Sequence, residues 1–100
     1  MYSDEEIAAV FKALSDKRRI HILKLLQKGE TCVCRLQQYC DLGQSGLSYH
    51  LKVLSDAGLV CCRQDGKWSH YSLSEKGRDC AVDMLMQLLV TKEDQSVQKC

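Results

Sequence analysis

Apolar residues recur at helical spacing through the first part of the chain and predict three helices there. Ser3 and Glu6 form a capping box in front of the first helix. Ser15 can cap the second helix, and Gly29 ends it. A third, shorter helix is predicted over residues 31–39 or 31–40, and the Leu-Gly pair that follows predicts a turn.

A fourth helix is predicted from near Gln44 to Ala57, and its two faces differ sharply. At 100° per residue, Leu47, Leu51 and Leu54 fall on one side. The opposite side carries polar residues: Ser45, Ser48, Tyr49, Lys52 and Asp56. This pattern predicts a helix that packs on a core and presents a polar arc to solvent.

Two strands and a last helix are predicted after Gly58. The strands cover residues 59–64 and 67–73 around a two-residue turn at Asp65 and Gly66, which would place Cys61 opposite His70. The last helix runs from Ser74 to near residue 90, and its apolar arc is too wide for a single packed face. We therefore expect a partner subunit to cover part of it.

This order of elements predicts a mainly α protein with a small β-hairpin, arranged as a winged helix-turn-helix. The 100 residues are 45% hydrophobic and contain no proline or linker, which indicates one folded domain. We assign residues 1–90 to this domain. Residues 91–100 are expected to form a polar C-terminal tail.

Charge and cysteine content indicate the cellular compartment of the protein and the roles that its cysteines can have. The net charge is only +1, but basic residues crowd the first third of the chain: Lys12, Lys17, Arg18, Arg19, Lys24 and Lys28. The acidic N-terminus is unlike a signal peptide, and no apolar run is long enough for a membrane span, so we expect a cytoplasmic protein. In a reducing compartment, the seven cysteines would bind a soft ion, sense redox state or pack.

The fourth helix and the hairpin together predict a DNA-binding surface. A helix fits the major groove, where Ser45, Ser48, Tyr49 and Lys52 could reach base edges and phosphates. Arg63 and Lys67 flank the hairpin tip, from which they could contact the DNA backbone or the minor groove. An ordinary surface helix and hairpin would explain each element alone, but their combination favours DNA binding. Residues 1–90 are therefore expected to form a DNA-binding and dimerisation domain.

Several motifs, in order, resemble the ArsR/SmtB family of homodimeric repressors that leave DNA when a metal or metalloid binds. They are the segments 13–19, 31–34, 44–54, 57–60 and 65–73, and the Cys-Val-Cys of the second most resembles arsenical repressors. The resemblance implies double-stranded operator DNA as partner and a dimer formed by the first and last helices. It also places Gln44, Ser45, Ser48, Tyr49 and His50 in the segment that contacts DNA bases. The helical wheel places His50 nearer the apolar side, so we expect it to pack or to bond a phosphate and not to contact a base.

The spacing of Cys32 and Cys34 alone would favour two small packing residues. The family resemblance instead makes them the leading candidates for a metal or metalloid site, where soft thiolates would select a soft ion. On a regular helix their sulfurs would lie about 200° apart, so one ion could bind both only if the first turn unwound. Cys40 lies six residues beyond Cys34, roughly 9 Å of helical rise, and could serve only if the helix ends or bends before it. Otherwise water, a small thiol or Cys100 would complete the site.

The remaining cysteines have less specific roles. Cys61 and Cys62 alternate across a strand and are interpreted as packing residues, with Cys80 in the core or at the dimer interface.

The leading hypothesis is a repressor that holds no permanent cofactor and is induced by As(III) or Sb(III). The alternative is a redox repressor in which Cys34 or Cys40 pairs with Cys80. We expect no enzyme activity, since no nucleophile and base share a face.

Overall fold

Five helices and three strands make up residues 1–92, the part of the chain that the computed structural model describes. In chain order they are α1 (Asp4–Ala13), α2 (Lys17–Leu26), β1 (Thr31–Cys32), α3 (Val33–Tyr39), α4 (Gly43–Asp56), β2 (Val60–Asp65), β3 (Trp68–Leu73) and α5 (Glu75–Leu89). The predicted winged helix-turn-helix order is confirmed, with one additional short strand. Cys100 lies outside the described residues.

The first two helices begin at side-chain caps. The predicted capping box is present, because Ser3 Oγ accepts from the backbone of Glu6 at 3.1 Å and the Glu6 carboxylate accepts from the backbone of Ser3 at 2.9 Å. The prediction that Ser15 caps α2 is wrong. Asp16 is the cap and accepts from the backbone of Arg18, whereas the Ser15 hydroxyl donates to the Lys12 carbonyl at the end of α1.

Residues 31 and 32 form a strand, not the start of the third helix. They pair antiparallel with β3, Thr31 opposite Tyr71 and Cys32 opposite His70, and the three-stranded sheet has the order β1-β3-β2. Helix α3 starts only at Val33, so Cys32 is its extended N-cap residue. Sequence periodicity cannot detect a strand of two residues, since its pairing partner is distant in the chain.

The hairpin turn is displaced by one residue from its predicted position. Asp65 pairs with Trp68, so the two loop residues are Gly66 and Lys67. Gly66 has φ +60°, which suits glycine at the first position of such a loop. The displaced turn changes the register by two residues, so Cys61 faces Ser72, and the prediction that it faces His70 is wrong.

The core draws apolar side chains from all five helices and from the start of β2. Its largest fully buried members come from α2, α3 and α4: Ile22, Leu26, Leu36, Leu47, Leu51 and Leu54. Gly77 permits a close approach of α5, because a Cβ there would overlap the carbonyl oxygen of Gly58. The buried leucines of α4 confirm its predicted apolar face and fix the direction of its polar arc.

Helix α5 leaves much of its apolar surface exposed, as the sequence predicted. Among its residues only Met84 is buried. Leu88 is exposed, and four further exposed apolar side chains recur at helical spacing and form the α5 stripe: Val82, Leu85, Met86 and Leu89. Within residues 1–92, none of the helices combines the length and the apolarity that crossing a membrane requires.

Candidate nucleic-acid interface and thiol site

The polar arc of α4 is open to solvent along its length. Gln44, Ser45 and Ser48 are exposed, as are Tyr49 and Lys52. Tyr49 keeps 61% of its surface accessible, which is high for an aromatic residue on a helix that is otherwise packed. All five residues could therefore contact a ligand as large as a DNA duplex without rearrangement of the helix.

His50 lies on the other side of α4 and is buried. Its Nδ1 is 2.9 Å from Nη1 of Arg19, which is also buried, and burial lowers the pKa of His50. The same guanidinium donates through Nε to the carbonyl of Ala13 and through Nη2 to that of Lys12. Of the two roles considered for His50, the structure shows packing within the protein.

The cluster of basic residues in the first third of the chain hides the structural role of Arg19. Its spacing from Ile22 and Leu26, three and seven residues further on, would have indicated the buried face of α2. Arg18, next to it, forms an ion pair with Asp16 at 2.8 Å. Neither arginine is therefore a free surface cation.

The hairpin carries the two predicted cations in different environments. Arg63 donates through Nε and Nη2 to the Glu30 carboxylate, with a shortest distance of 2.7 Å, and this pairing lowers the pKa of Glu30. Lys67 lies at the turn, with Nζ 5.5 Å from the centroid of the Trp68 ring. Lys67 is thus available to an anion, whereas Arg63 would have to exchange its partner.

A cleft of about 370 Å³ separates α4 from the hairpin, with α3 at its side; we call it the α4 cleft. Its lining includes four of the predicted DNA-contacting residues and one candidate thiol: Gln44, Ser48, Lys52, Lys67 and Cys34. Ligand binding at Cys34 would therefore occur within the same cleft as the residues that are expected to face DNA.

Cys32 and Cys34 form a close pair of thiols. The Sγ of Cys34 donates to the Sγ of Cys32 at 2.8 Å, and this hydrogen bond lowers the pKa of Cys32 while it raises the pKa of Cys34. The prediction that the two sulfurs diverge and need an unwound helix is wrong. It assumed helical geometry for Cys32, whose φ of −68° and ψ of 142° are instead extended.

Cys40 is not brought to this pair. It ends α3, as a third ligand would require, but its side chain is 7% exposed and belongs to the core, where burial raises its pKa. Across residues 1–92, no three His, Cys, Asp or Glu side chains are grouped so as to hold a metal ion. The candidate site therefore consists of Cys32 and Cys34.

The other described cysteines have no common location. Cys61 and Cys62 are exposed on β2, so the interpretation that both pack within the subunit is wrong. Cys80 is half-buried on α5, where its hydrogen bond with Tyr2 raises the pKa of that tyrosine to about 12. All six cysteines among residues 1–92 are free thiols.

A larger cavity lies on the other side of α3 and was not anticipated from the sequence; we call it the Cys32 cavity. Its volume is about 600 Å³, and its lining combines apolar, basic and acidic residues around one thiol, among them Leu25, Tyr39, Arg35, His70, Glu30 and Cys32. The strand that Cys32 shares with Thr31 creates this site, since it places His70 opposite Cys32.

Comparisons with known proteins agree with this architecture. The family model described as "Bacterial regulatory protein, arsR family" matches residues 16–61. The chain is 48% identical over 67 residues to the arsenical resistance operon repressor of Bacillus subtilis, covering 66% of the chain and 64% of the repressor. It is 39% identical over 83 residues to the repressor of the same name from Staphylococcus aureus, covering 83% and 80%.

A solved structure shares the fold. It is the homodimeric winged helix-turn-helix DNA-binding domain of a possible ArsR-family transcriptional regulator from Mycobacterium bovis. The TM-score is 0.69 at 29% identity, with 89% of this chain and 86% of that domain covered.

Proposed function

The chain belongs to the ArsR family of bacterial regulatory proteins, and from this premise we propose that it is an arsenic-responsive transcriptional repressor. It binds operator DNA as a homodimer through residues 1–90 and acts in the cytoplasm. Trivalent arsenic or antimony releases it by bonding to Cys32 and Cys34. Its role is binding and release, without catalysis of a reaction.

The observation that carries this proposal is the 2.8 Å separation of the two sulfurs beside the α4 cleft. Bonds between a soft ion and cysteine sulfur are about 2.3 Å long, so one atom can reach both thiols. The thiolate is the form that binds, and the hydrogen bond from Cys34 favours it at Cys32. Inorganic arsenite would exchange two As–O bonds for two As–S bonds and release two water molecules.

On the DNA side, α4 enters the major groove with Ser45, Ser48 and Tyr49 towards the base edges. Gln44 and Lys52 flank them, and Lys67 contacts a phosphate from the hairpin. His50 takes no part in reading bases and holds α4 on α2 through Arg19. Two such helices in a dimer match a pseudo-palindromic operator whose half-sites lie about one DNA turn apart.

Two contacts couple the thiols to the DNA-binding surface. Cys34 lines the α4 cleft, so an arsenic atom bonded to it alters the space between α4 and the hairpin. Cys32 pairs with His70, which in turn pairs with Arg63 on β2, so a shift of Cys32 is transmitted across the sheet. A ligand that favours the shifted state lowers DNA affinity by about 1–3 kcal/mol of coupling free energy.

The test is fluorescence anisotropy of a labelled duplex that the protein itself selects from a random pool, with arsenite titrated in. Cys32→Ser and Cys34→Ser should each abolish release and leave DNA affinity unchanged. Cys61→Ser is the matched control, since this thiol is exposed on β2 away from the pair, and it should respond like the unmodified protein. A double variant of Cys32 and Cys34 that still dissociates at unchanged arsenite concentrations would overturn the proposal.

A further inference from the structure

The Cys32 cavity is large enough for an organic ligand. Its volume of about 600 Å³ falls in the range of small-molecule pockets, roughly 300–1,000 Å³. It is lined by residues of α2, the α2–β1 connection, β1, α3 and β3, and by none from α1 or α5. A dimer formed through α1 and the α5 stripe would therefore leave the cavity open.

The thiol pair satisfies only two of the three bonds that trivalent arsenic forms. Trivalent arsenic takes three sulfurs in a pyramid when they are available. Here Cys40 is buried in the core, and no third sulfur joins Cys32 and Cys34 among residues 1–92. An arsenic atom on this pair keeps one valence for a ligand that the described protein does not supply.

The thiol pair lies between two spaces, since Cys34 lines the α4 cleft and Cys32 lies in the wall of the Cys32 cavity. The α4 cleft exposes more polar than apolar surface, whereas the Cys32 cavity exposes more apolar than polar surface, so the cavity is the better environment for an organic group on an arsenic atom bonded to both thiols. Leu25 and Tyr39 offer an apolar surface there. Water or hydroxide would leave this surface uncovered, whereas a hydrocarbon group would bury it.

We infer that the preferred inducer is a trivalent organoarsenical with one carbon substituent, whose organic group occupies the Cys32 cavity. This inference rests on the proposed function and specifies the ligand of the same site. The reaction is R–As(OH)₂ with two cysteine thiols, giving R–As(S-Cys)₂ and two water molecules. Two As–O and two S–H bonds break, and two As–S and two O–H bonds form, so each thiol proton leaves in a water molecule. The As–C bond persists, and no oxidation state changes.

Tyr39 is the residue expected to set the preference for the organic group. It is 56% exposed, so it contributes a ring to the cavity wall without belonging to the core. An aryl group on arsenic can pack against this ring, and a methyl group covers much less of it. Substitution at position 39 should therefore leave the fold intact and change selectivity.

The experiment compares arsenite, methylarsenous acid and phenylarsenous acid on protein reduced with a phosphine, so that no added thiol competes. DNA release is followed by anisotropy. Direct binding is followed by intact mass and by the fluorescence of Trp68, the single tryptophan, which lines the α4 cleft together with Cys34. Tyr39→Ala removes the ring, and Tyr39→Phe is the matched control that keeps it.

Phenylarsenous acid should release DNA at a concentration at least about tenfold below that of arsenite, with methylarsenous acid between them. Tyr39→Ala should raise the concentration of phenylarsenous acid needed for DNA release and leave the concentrations of the other two compounds unchanged. Tyr39→Phe should leave all three concentrations unchanged. The inference would be overturned if arsenite released DNA at a concentration equal to or lower than that of phenylarsenous acid. It would also be overturned if Tyr39→Ala changed the releasing concentrations of all three arsenicals equally.

Failure of the proposed function has a different signature. In that case intact mass and Trp68 fluorescence would still show that phenylarsenous acid binds Cys32 and Cys34 more tightly than arsenite does, but the protein would stay bound to DNA.

Discussion

Nη1 of Arg19 lies 2.9 Å from Nδ1 of His50, and this buried contact joins α2 to the helix expected to read DNA. Arg19 also holds the carbonyls of Lys12 and Ala13, so one guanidinium ties the end of α1, α2 and α4 together. The orientation of α4 thus depends on a polar contact as well as on its buried leucines.

Replacing His50 by alanine should destabilise the protein, because it leaves a buried Arg19 donor without its acceptor. Such losses typically lower the free energy of unfolding by about 1–3 kcal/mol. Urea unfolding near pH 7.5 measures the change. His21→Ala is the matched control, since His21 is exposed on α2, and it should change stability much less. Equal losses from both substitutions would contradict the structural role of His50.

The same contact predicts a pH dependence. Burial lowers the pKa of His50 below its ordinary 6.5, opposed by Asp16 and supported by Arg18 and Arg19. The unfolded chain therefore binds the proton more readily, and stability should fall as the pH drops below about 6.5, until the folded pKa is passed. Above that window the contribution is fully present. Unfolding at pH 5.5 and 7.5 should show a decline in the unmodified protein that is smaller in His50→Gln.

Local sequence patterns predicted the helices well but not the contacts between them. The leucines of α4 show its buried face directly, and the side of the wheel that holds His50 indicated packing. Its partner Arg19 lies 31 residues away, so only the folded chain brings the two together. The helical prediction for Cys32 fails for the same reason, because its strand exists only through pairing with His70.

Lys52→Ala should weaken DNA binding and reduce its salt dependence. Lys52 is exposed on α4, and its ion pair with Asp56 at 3.0 Å is solvent-accessible, so it contributes little to folding. Loss of one phosphate contact should lower the slope of log affinity against log salt by about 1. Lys24→Ala, on the exposed surface of α2, is the control. An unchanged slope for Lys52→Ala would remove this residue from the interface.

Glu30→Gln should increase DNA affinity, because it releases Arg63 from its carboxylate partner. Both side chains are exposed, so loss of the ion pair should change the stability of the fold little. The freed guanidinium can reach a phosphate, which should steepen the salt dependence. Glu5→Gln, at the start of α1, makes the same charge change far from the hairpin and should have a smaller effect. If Arg63→Ala and Glu30→Gln both leave affinity unchanged, Arg63 does not contact DNA.

Cys32 should react with iodoacetamide faster than Cys40 at neutral pH. The hydrogen bond from Cys34 lowers the pKa of Cys32, whereas burial raises that of Cys40, so Cys32 holds more thiolate. Cys34→Ala should slow alkylation of Cys32 and move its pH profile upward. Cys34→Ser retains a donor and serves as the control. Peptide mass spectrometry over a pH series measures both rates, and equal profiles in all three proteins would contradict the pairing.

Leu85→Asp and Leu89→Asp should each give monomers that no longer bind the operator. Leu85 is 43% and Leu89 75% exposed in the single chain, so an aspartate at either position is solvated there and the subunit should still fold. In a dimer that buries the α5 stripe, the same carboxylate would lose its water without gaining a partner, which costs several kcal/mol or more. Sedimentation at micromolar concentration should therefore show monomers with an unchanged helical circular dichroism spectrum. Lys76→Asp, in the exposed first turn of α5, should remain dimeric. Leu85→Asp and Leu89→Asp proteins that both still sediment as dimers would place the interface elsewhere.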